Sequence, residues 1–342
     1  MIDAQSTCSW GQEILSAHRA DRGRRGEGEM PEIWTMGEML VEIMRPRAGM
    51  RLSEAGEFLG PFPSGAPAIF IDTVARLGHS SGIIGGVGKD DFGECITNRL
   101  RSHGVDLRFV QVIPDSSTAV AFVVYFADGS RKFIYHIDGT PAATPGFPRD
   151  PLPEVPRFFH VMGCSLMVND RFRESIFEAV RFFHERGAKV SFDPNIRPEL
   201  LAGRDIHTVV GPVLERCSVL LPGVAELELL AGASGVEASA RALFKQGNLE
   251  TIVLKRGKSG ATLIEPRRTI EVPAYAVKEV DPTGAGDSFD AGFICGLLEN
   301  RPVEECGRIA AAAGALNAAA FGPMEGDISI TRVRELIENA NR

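Results

Sequence analysis

The sequence predicts an α/β fold, a three-layer α/β/α sandwich in which a mostly parallel central sheet lies between two layers of helices. Three observations favour this fold. Short apolar segments alternate with helical segments, the chain after Asp281 is helical in pattern, and one segment carries a hairpin signal. The 342 residues are 44% hydrophobic and 24% charged, which is the composition of an ordinary globular protein.

The strand-like segments are short, mainly apolar runs, which are typical of strands covered on both faces. They occur at 81–87, 158–162, 189–193, 218–221 and 251–254. Helical patterns lie between them at 69–77, 94–103, 171–186, 224–230 and 239–246, and then at 286–298, 303–320 and 331–341. Strands that alternate with helices in this way form mostly parallel sheets with helices on both faces.

One region breaks this alternation and predicts a small antiparallel β lid. Residues 119–126 and 132–137 are extended in pattern and flank Asp128-Gly129, a strong hairpin signal. Residues 39–59 are also poor in helical pattern. Such a sheet could cover a site and exclude water from it. An ordinary edge hairpin is the alternative.

The N-terminal residues 1–32 are predicted to form a disordered extension. Residues 19–29 are polar, glycine-rich and mixed in charge, so they cannot bury a core. The segment lacks the apolar stretch of a signal peptide. Met30 precedes the first strand-like run and is a candidate for the natural start; a basic arm that binds a partner is the alternative.

The overall charge argues against several classes of partner. With 37 Lys and Arg against 45 Asp and Glu, the net charge is −8, which does not fit a general nucleic-acid binder. No run of 18 apolar residues is present, so no membrane-spanning helix is expected. The six cysteines are scattered without a C-x-x-C pair, which favours reduced thiols in a cytoplasmic protein.

The segment Asp281-Pro-Thr-Gly-Ala-Gly-Asp-Ser-Phe289 carries the strongest chemical signal. Small residues at 284–286 directly precede an apolar-periodic helix. Backbone N–H groups at a helix N-terminus favour an anion, so this is a phosphate cradle without a P-loop lysine. Asp287 lies in the first turn of that helix, where it is either a helix-capping carboxylate or a general base for a substrate hydroxyl. The pattern alone leaves both readings open.

This segment resembles the C-terminal signature of the PfkB/ribokinase family of carbohydrate kinases. Residues 85–93, Gly-Gly-Val-Gly-Lys-Asp-Asp-Phe-Gly, resemble the family's N-terminal signature, and 37–42 and 191–197 resemble two further family segments. The matches run from about residue 33 to residue 330. The resemblance implies a ribokinase-like sandwich, with a kinase domain at 33–342 and a discontinuous lid from about 39–62 and 110–140.

The resemblance also implies catalytic roles. Asp287 would be the general base that deprotonates a sugar hydroxyl. Gly284, Ala285 and Gly286 would form the anion hole for the transferred γ-phosphoryl group, where pre-aimed N–H donors stabilise charge. Arg197 would bind substrate or phosphate, since a guanidinium holds an anion bidentately; a surface ion pair is its alternative.

The nucleotide and the cations would lie beside this loop. By resemblance, ATP lies over the segment that contains Lys255, Gly257 and Gly260, and Asn317 lines the nucleotide pocket. Mg²⁺ is expected with ATP, bound mainly by phosphates and waters, with Glu226 supporting it through water. The backbone carbonyls of Asp281 and Thr283 would help to hold K⁺.

The sugar would be bound by the opening strand and the lid. Glu42 is at the acidic position that grips sugar hydroxyls, and Gly65 permits close approach of the sugar. Tyr125, Arg131 and Tyr135 are the lid residues that would close over it.

Three departures from the family pattern bear on specificity. Ile69 and Gly223 replace usual asparagines, which removes a polar contact to the sugar and weakens the magnesium assignment. His136 replaces an arginine found in relatives that bind acidic sugars, which favours a neutral substrate.

These observations predict ATP-dependent phosphorylation of the primary hydroxyl of a neutral ketohexose. Residues 64–70 and 322–326 resemble a subgroup with tagatose kinase-like members, so tagatose is the first expectation and fructose the second. A 2-keto-3-deoxygluconate kinase is the alternative enzyme, and a non-catalytic sugar or nucleotide sensor is the alternative of another class. A homodimer through the lid is also expected.

Overall fold

The structure is a computed structural model that describes residues 31–126, 130–148 and 155–340. The Asp128-Gly129 turn and most of the predicted N-terminal extension lie outside these residues. Pro31 and Glu32, the last two residues of that extension, are described. The Glu32 N–H donates to Ser80 Oγ at 3.0 Å, and its carbonyl accepts the N–H of Phe158 at 3.1 Å.

The described residues contain two sheets. The strands, in chain order, are β1 Ile33–Met36, β2 Leu40–Met44, β3 Leu59–Ser64, β4 Ser81–Gly88, β5 Asp106–Ile113, β6 Ala119–Tyr125, β7 Arg131–His136, β8 Phe158–Met162, β9 Lys189–Asp193, β10 Cys217–Leu220, β11 Thr251–Lys255, β12 Ala261–Glu265 and β13 Arg268–Val272. The main sheet has the order β13-β12-β11-β10-β9-β8-β1-β4-β5, and the second has the order β3-β2-β6-β7.

The mostly parallel main sheet is confirmed. All pairs from β11 across to β5 are parallel, and β12 and β13 add an antiparallel edge. The sequence analysis did not identify β12 and β13 as strands. Residues 110–113 belong to β5 of the main sheet, so the second lid segment begins later than predicted.

The β lid is the second sheet. Its outer pairs, β2 with β3 and β6 with β7, are antiparallel, as predicted. Its central pair, β2 with β6, is parallel. Both of these strands follow a strand of the main sheet and run outward from it. The lid therefore combines two antiparallel pairs around one parallel pair.

Helices cover both faces of the main sheet, as predicted. The described helices are α1 Ala66–Arg76, α2 Asp91–Ser102, α3 Gly163–Met167, α4 Asp170–Glu185, α5 Pro198–Leu201, α6 Ile206–Leu214, α7 Val224–Ala231, α8 Val236–Phe244, α9 Ala285–Leu298, α10 Val303–Ala318 and α11 Ile330–Ala340. None of them is both long and apolar enough to cross a membrane.

Two hydrophobic cores lie on opposite faces of the sheet. Side chains of a strand alternate between faces, so Val219 packs in one core and Leu220 in the other. The first core contains residues of α1, α9 and α10, such as Phe293, and the second contains residues of α4 and α6, such as Phe183. Full burial of each such side chain contributes about 2–3 kcal/mol.

This topology brings chemically active side chains to one edge. The carboxyl ends of parallel strands form the ligand-binding side of an open α/β sheet. Asp193 ends β9 and Lys255 ends β11 at that edge. The lid strand β2 begins four residues after β1 ends, so the lid stands over the same edge.

Candidate active site

A cavity of about 230 Å³ lies between the lid and the carboxyl edge of the main sheet. Eleven of the seventeen residues predicted for the site line it. They are Glu42, Gly65, Arg131, Tyr135, Arg197, Glu226, Lys255, Thr283, Gly284, Gly286 and Asp287. The other six lie outside the lining: Tyr125, Gly257, Gly260, Asp281, Ala285 and Asn317.

Helix α9 points its uncapped N-terminus into this cavity. Several other helices have side-chain caps; Asp90, Asn169 and Asp205 each accept a backbone N–H of the first turn at 2.8 Å. The N-cap of α9 is Gly284, which has no side chain to do so. Within the described residues no backbone acceptor is found for the N–H groups of Gly286 and Asp287. These donors, at the positive end of a helix, are available to an anion.

Position 284 requires glycine, and glycine at position 286 lets a ligand approach the backbone closely. Gly284 has φ 75°, and a Cβ there would lie 2.4 Å from the Pro323 carbonyl oxygen. A Cβ at Gly286 would have only Lys255 Nζ within 4 Å, at 3.9 Å. Ala285 does not join the anion-binding amides as predicted, because its N–H donates to the Pro282 carbonyl at 3.2 Å in a tight turn.

Asp287 is a buried carboxylate beside these amides. Its Oδ1 accepts a hydrogen bond from Asn195 Nδ2 at 3.2 Å. Burial, followed by the negative charge of Asp193, raises the pKa of Asp287 to about 6, against the opposing charges of Lys255 and Arg197. A carboxylate with this pKa is ionised at neutral pH and is basic enough to accept a proton from a bound hydroxyl.

Lys255 lies at the centre of an ion cluster behind the helix terminus. Its Nζ contacts Asp193 Oδ2 at 2.7 Å and Asp290 Oδ2 at 3.1 Å. Burial disfavours the ammonium ion, but Asp193 and Asp290 outweigh it and raise the pKa of Lys255. Burial also raises the pKa of Asp290 well above its usual range. Lys255 therefore stays charged and holds Asp193 beside the cavity.

Asp193, Asn195 and Asp290 are site residues that the sequence reasoning did not select. Asp193 and Asn195 lie in the cavity lining, within the segment 191–197 that had been singled out. Asp290 lies one helical turn after Asp287, a spacing that places both on one face of a helix. That spacing was the available signal for Asp290.

The loop that precedes α9 is held by buried polar side chains. The Asp281 carboxylate accepts the Thr283 N–H at 2.9 Å, the Thr283 hydroxyl at 2.6 Å and the Gly322 N–H at 2.9 Å. Asn317 Nδ2 donates to the carbonyls of Thr283 at 2.7 Å and Pro323 at 3.1 Å. Asn317 is thus buried behind the loop and lies outside the lining of this cavity, and its place in the nucleotide pocket stays a prediction.

Tyr125 also contacts this loop and does not face the cavity as expected. Its hydroxyl donates to Asp281 Oδ1 at 2.9 Å and contacts Thr283 Oγ1. Arg131 and Tyr135, on the neighbouring strand β7, do line the cavity. His136 is exposed and packs edge-on against Phe122.

Two buried carboxyl groups lie at the lid end of the cavity. Glu42 Oε1 accepts the Ser64 hydroxyl at 2.7 Å, while its Oε2 has no partner among the described residues. Burial raises the pKa of Glu42 to about 7. Glu38, which the sequence reasoning missed, accepts Cys164 Sγ at 3.1 Å and the Ser165 hydroxyl. Both groups can bind hydroxyls.

Gly65 and Ile69 shape the wall next to Glu38. Gly65 has φ 100°, and a Cβ there would lie 2.5 Å from the Glu38 carbonyl oxygen. Ile69 lines the cavity, so this position presents an apolar surface to a ligand.

Arg131 and Arg197 bring positive charge to the same end. Among the described residues neither has a carboxylate within 4.0 Å, so the surface ion pair considered for Arg197 is absent there. Arg197 lies near Tyr135 and lines the cavity. Both guanidinium groups can therefore bind an anionic ligand.

The residues present fit a magnesium ion that is held mainly by phosphates. The described residues contain no group of three or more His, Cys, Asp or Glu that could hold a metal. Glu226 lines the cavity, and its carboxylate oxygens accept the N–H groups of Ile196 at 2.8 Å and Gly223 at 2.7 Å. Glu226 thus supplies oxygen of the kind that Mg²⁺ prefers.

The two glycines of the predicted nucleotide segment form a turn outside the cavity. Gly257 has φ 54° and Gly260 has φ 85°. A Cβ at Gly260 would lie 2.0 Å from the Val272 carbonyl oxygen. Glycine is therefore required at position 260 by the close approach of the backbone at the end of strand β13.

The chain is similar in sequence to known proteins. Residues 33–329 match the family described as pfkB family carbohydrate kinase. Fructokinase-1 of Oryza sativa subsp. japonica is 30% identical over 325 residues, which cover 92% of this chain and 99% of that protein.

Two solved structures are also similar. An E. coli protein given the name Ribokinase II, in complex with ATP and Mg²⁺, is 35% identical with a TM-score of 0.84 and covers 91% of this chain and 100% of its own. A double mutant of fructokinase from Vibrio cholerae O395, with bound fructose, ADP and potassium ion, is 25% identical with a TM-score of 0.79 and covers the same shares. Because these matches span nearly the whole of each protein, this chain belongs to the pfkB family and is an ATP-binding carbohydrate kinase.

Proposed function

We propose that the protein transfers the γ-phosphoryl group of ATP to a hydroxyl of fructose. The observation that carries this proposal is the position of Asp287, a buried carboxylate with a pKa of about 6, beside N–H groups at the N-terminus of α9 that have no backbone acceptor within the described residues. A proton acceptor and an anion site are thus adjacent, as phosphoryl transfer requires.

In the proposed mechanism, Asp287 accepts the proton of the sugar hydroxyl as its oxygen attacks the γ-phosphorus. The N–H groups of Gly286 and Asp287 stabilise the charge on the transferred group. Magnesium would neutralise phosphate charge when bound, with Glu226 as its acidic support. Lys255 keeps Asp193 ionised, and Asp193 in turn keeps Asp287 basic.

Fructose is supported by the relatives. The rice relative is named a fructokinase, and so is the Vibrio cholerae structure, whose title includes fructose. Tagatose, the first expectation from the sequence, has no such support. Glu42 and Glu38 provide the hydroxyl acceptors that a neutral ketohexose needs.

A second candidate, 2-keto-3-deoxygluconate, is favoured by one observation. Arg131 and Arg197 line the cavity, and neither has a carboxylate within 4.0 Å among the described residues. A sugar carboxylate would pair with them. Arg131 thus places a lid arginine in the cavity, and such an arginine would favour an acidic sugar.

The test is an ADP-release screen of the purified protein with MgATP over fructose, tagatose and 2-keto-3-deoxygluconate. The proposal expects the highest kcat/KM for fructose, and preference for the acid would establish the second candidate. Sugar binding without ADP release would establish the sensor alternative. Repeating the screen with Na⁺ in place of K⁺ tests the predicted K⁺ requirement, which the potassium-bound relative supports.

We also propose that two copies pair through the outer face of the lid. Ile134 of β7 and Phe58 and Leu59 at the start of β3 are each about 40% exposed in the lid, and exposed large apolar side chains favour a protein–protein contact. Light scattering after gel filtration should give twice the monomer mass of 36.9 kDa. Ile134→Glu should give the monomer mass, and an unchanged dimer would refute the proposed surface.

A further inference from the structure

Tyr125 joins the lid directly to the anion-binding loop. It is the last residue of strand β6, and its hydroxyl donates to Asp281 Oδ1 at 2.9 Å and contacts Thr283 Oγ1. The side chain is largely buried, and burial raises the pKa of its hydroxyl. The hydroxyl therefore stays protonated and remains a donor throughout the working pH range.

The Asp281 carboxylate connects the Tyr125 hydroxyl to the backbone at Thr283 and at Gly322. The same Oδ1 accepts the N–H of Thr283, while Oδ2 accepts the N–H of Gly322. Thr283 immediately precedes Gly284, where the chain turns at positive φ into α9. Tyr125 thus helps to position the backbone that orients the N–H groups of Gly286 and Asp287.

The lid also carries the residues at the sugar end of the cavity. On strand β2, Glu42 lies opposite Ala121 of β6, and on β7 Tyr135 lies opposite the same residue. Both line the cavity. One sheet therefore contacts the sugar end through β2 and β7 and the phosphate end through Tyr125.

We propose that Tyr125 is a positioning residue that fastens the lid to the anion-binding loop and so sets the loop for the γ-phosphate. The inference rests on the proposed role of that loop in binding phosphate. It does not depend on which sugar is the acceptor. Tyr125 touches neither ligand in this scheme and acts only through Asp281 and Thr283.

The experiment compares Tyr125→Phe with wild type in the absence of sugar. Hydrogen–deuterium exchange should become faster in peptides containing residues 281–287 and 322, because the loop loses a hydrogen bond to a carboxylate. The affinity for Mg²⁺ and AMP-PNP, a non-hydrolysable ATP analogue, should fall about tenfold, the effect expected of a lost hydrogen bond to a charged group.

Tyr135→Phe is the matched control, since it also removes a hydroxyl from the same face of the lid. The Tyr135 hydroxyl lies near Arg197 and not near the anion-binding loop. The control variant should leave exchange of residues 281–287 unchanged. Unchanged exchange in Tyr125→Phe would overturn the inference, and faster exchange with unchanged AMP-PNP affinity would reduce Tyr125 to a structural contact. Failure to phosphorylate fructose, with both Tyr125→Phe effects present, would refute only the proposed sugar.

Discussion

Because it is buried, the ionised Asp287 carboxylate should destabilise the fold, although the reaction needs it. Its pKa rises from 3.8 to about 6 because the ionised form is buried and lies near Asp193. A rise of this size corresponds to about 3 kcal/mol. Because the folded state binds this proton more tightly than the unfolded state does, protonation of Asp287 stabilises the fold. This stabilisation is complete below about pH 4 and is lost as the pH rises through about 6.

Asp287→Asn removes the charge and retains the shape. Asn195 Oδ1 is buried without a hydrogen-bond partner among the described residues, so the new amide has an acceptor nearby. We expect the variant to be more stable than wild type by about 1–3 kcal/mol at pH 8, with the difference shrinking as the pH falls from 6 to 4. Urea denaturation at several pH values measures this difference.

The same variant should lose catalysis. Without a proton acceptor, kcat should fall about 10²–10⁴-fold, while nucleotide still binds. Asp115→Asn, the same change at an exposed site, should alter stability by less than about 0.5 kcal/mol. A pH-independent stability difference would refute the burial argument, and near-normal kcat would refute the assignment of Asp287 as the base.

Three further predictions follow from the site. In wild type, kcat/KM should rise about tenfold per pH unit below 6 and level off above it, because Asp287 must be ionised to accept a proton; a flat profile from pH 5 to 7 would contradict this. Glu42→Gln should lower kcat/KM for the sugar about 10–100-fold, since hydrogen bonds to charged groups are lost, with little change in the KM for ATP; equal loss for both substrates would oppose the assignment. Gly284→Ala should lower the free energy of unfolding by about 1–3 kcal/mol, because position 284 has positive φ and no room for a Cβ. Gly286→Ala should fold normally and yet bind nucleotide less tightly. Equal free energies of unfolding for Gly284→Ala and Gly286→Ala would contradict the argument that only position 284 lacks room for a Cβ.

The fold could be predicted because its signals are local. Apolar runs identified the parallel strands β4, β8, β9, β10 and β11, and helical periodicity identified α1, α2, α4, α7 and α8, but β5 and α6 were not predicted. The lid was predicted from two extended segments, but the parallel pairing of β2 with β6 was not. Strand pairing between segments far apart in the chain depends on where the main sheet directs each segment, and no residue pattern within either strand records it.

Residues of the cavity could be predicted where they belong to one local motif. Gly284, Gly286 and Asp287 lie in one turn, so their geometry relative to each other is set by the start of one helix. Ala285 shares that motif, but the turn uses its N–H internally. Only the hydrogen bond to Pro282 distinguishes it from its neighbours.

Lys255 shows why the remaining assignments needed the structure. In the sequence it begins a glycine-containing segment, over which the nucleotide was expected to lie. In the fold, two carboxylates from β9 and α9 meet its ammonium group, and the residues that share this cluster are 62 and 35 positions away. The effect of Lys255 on Asp287 is then electrostatic: its charge keeps the pKa of that carboxyl from rising further. A base ionised at neutral pH thus depends on a lysine whose partners could not be inferred from either motif alone.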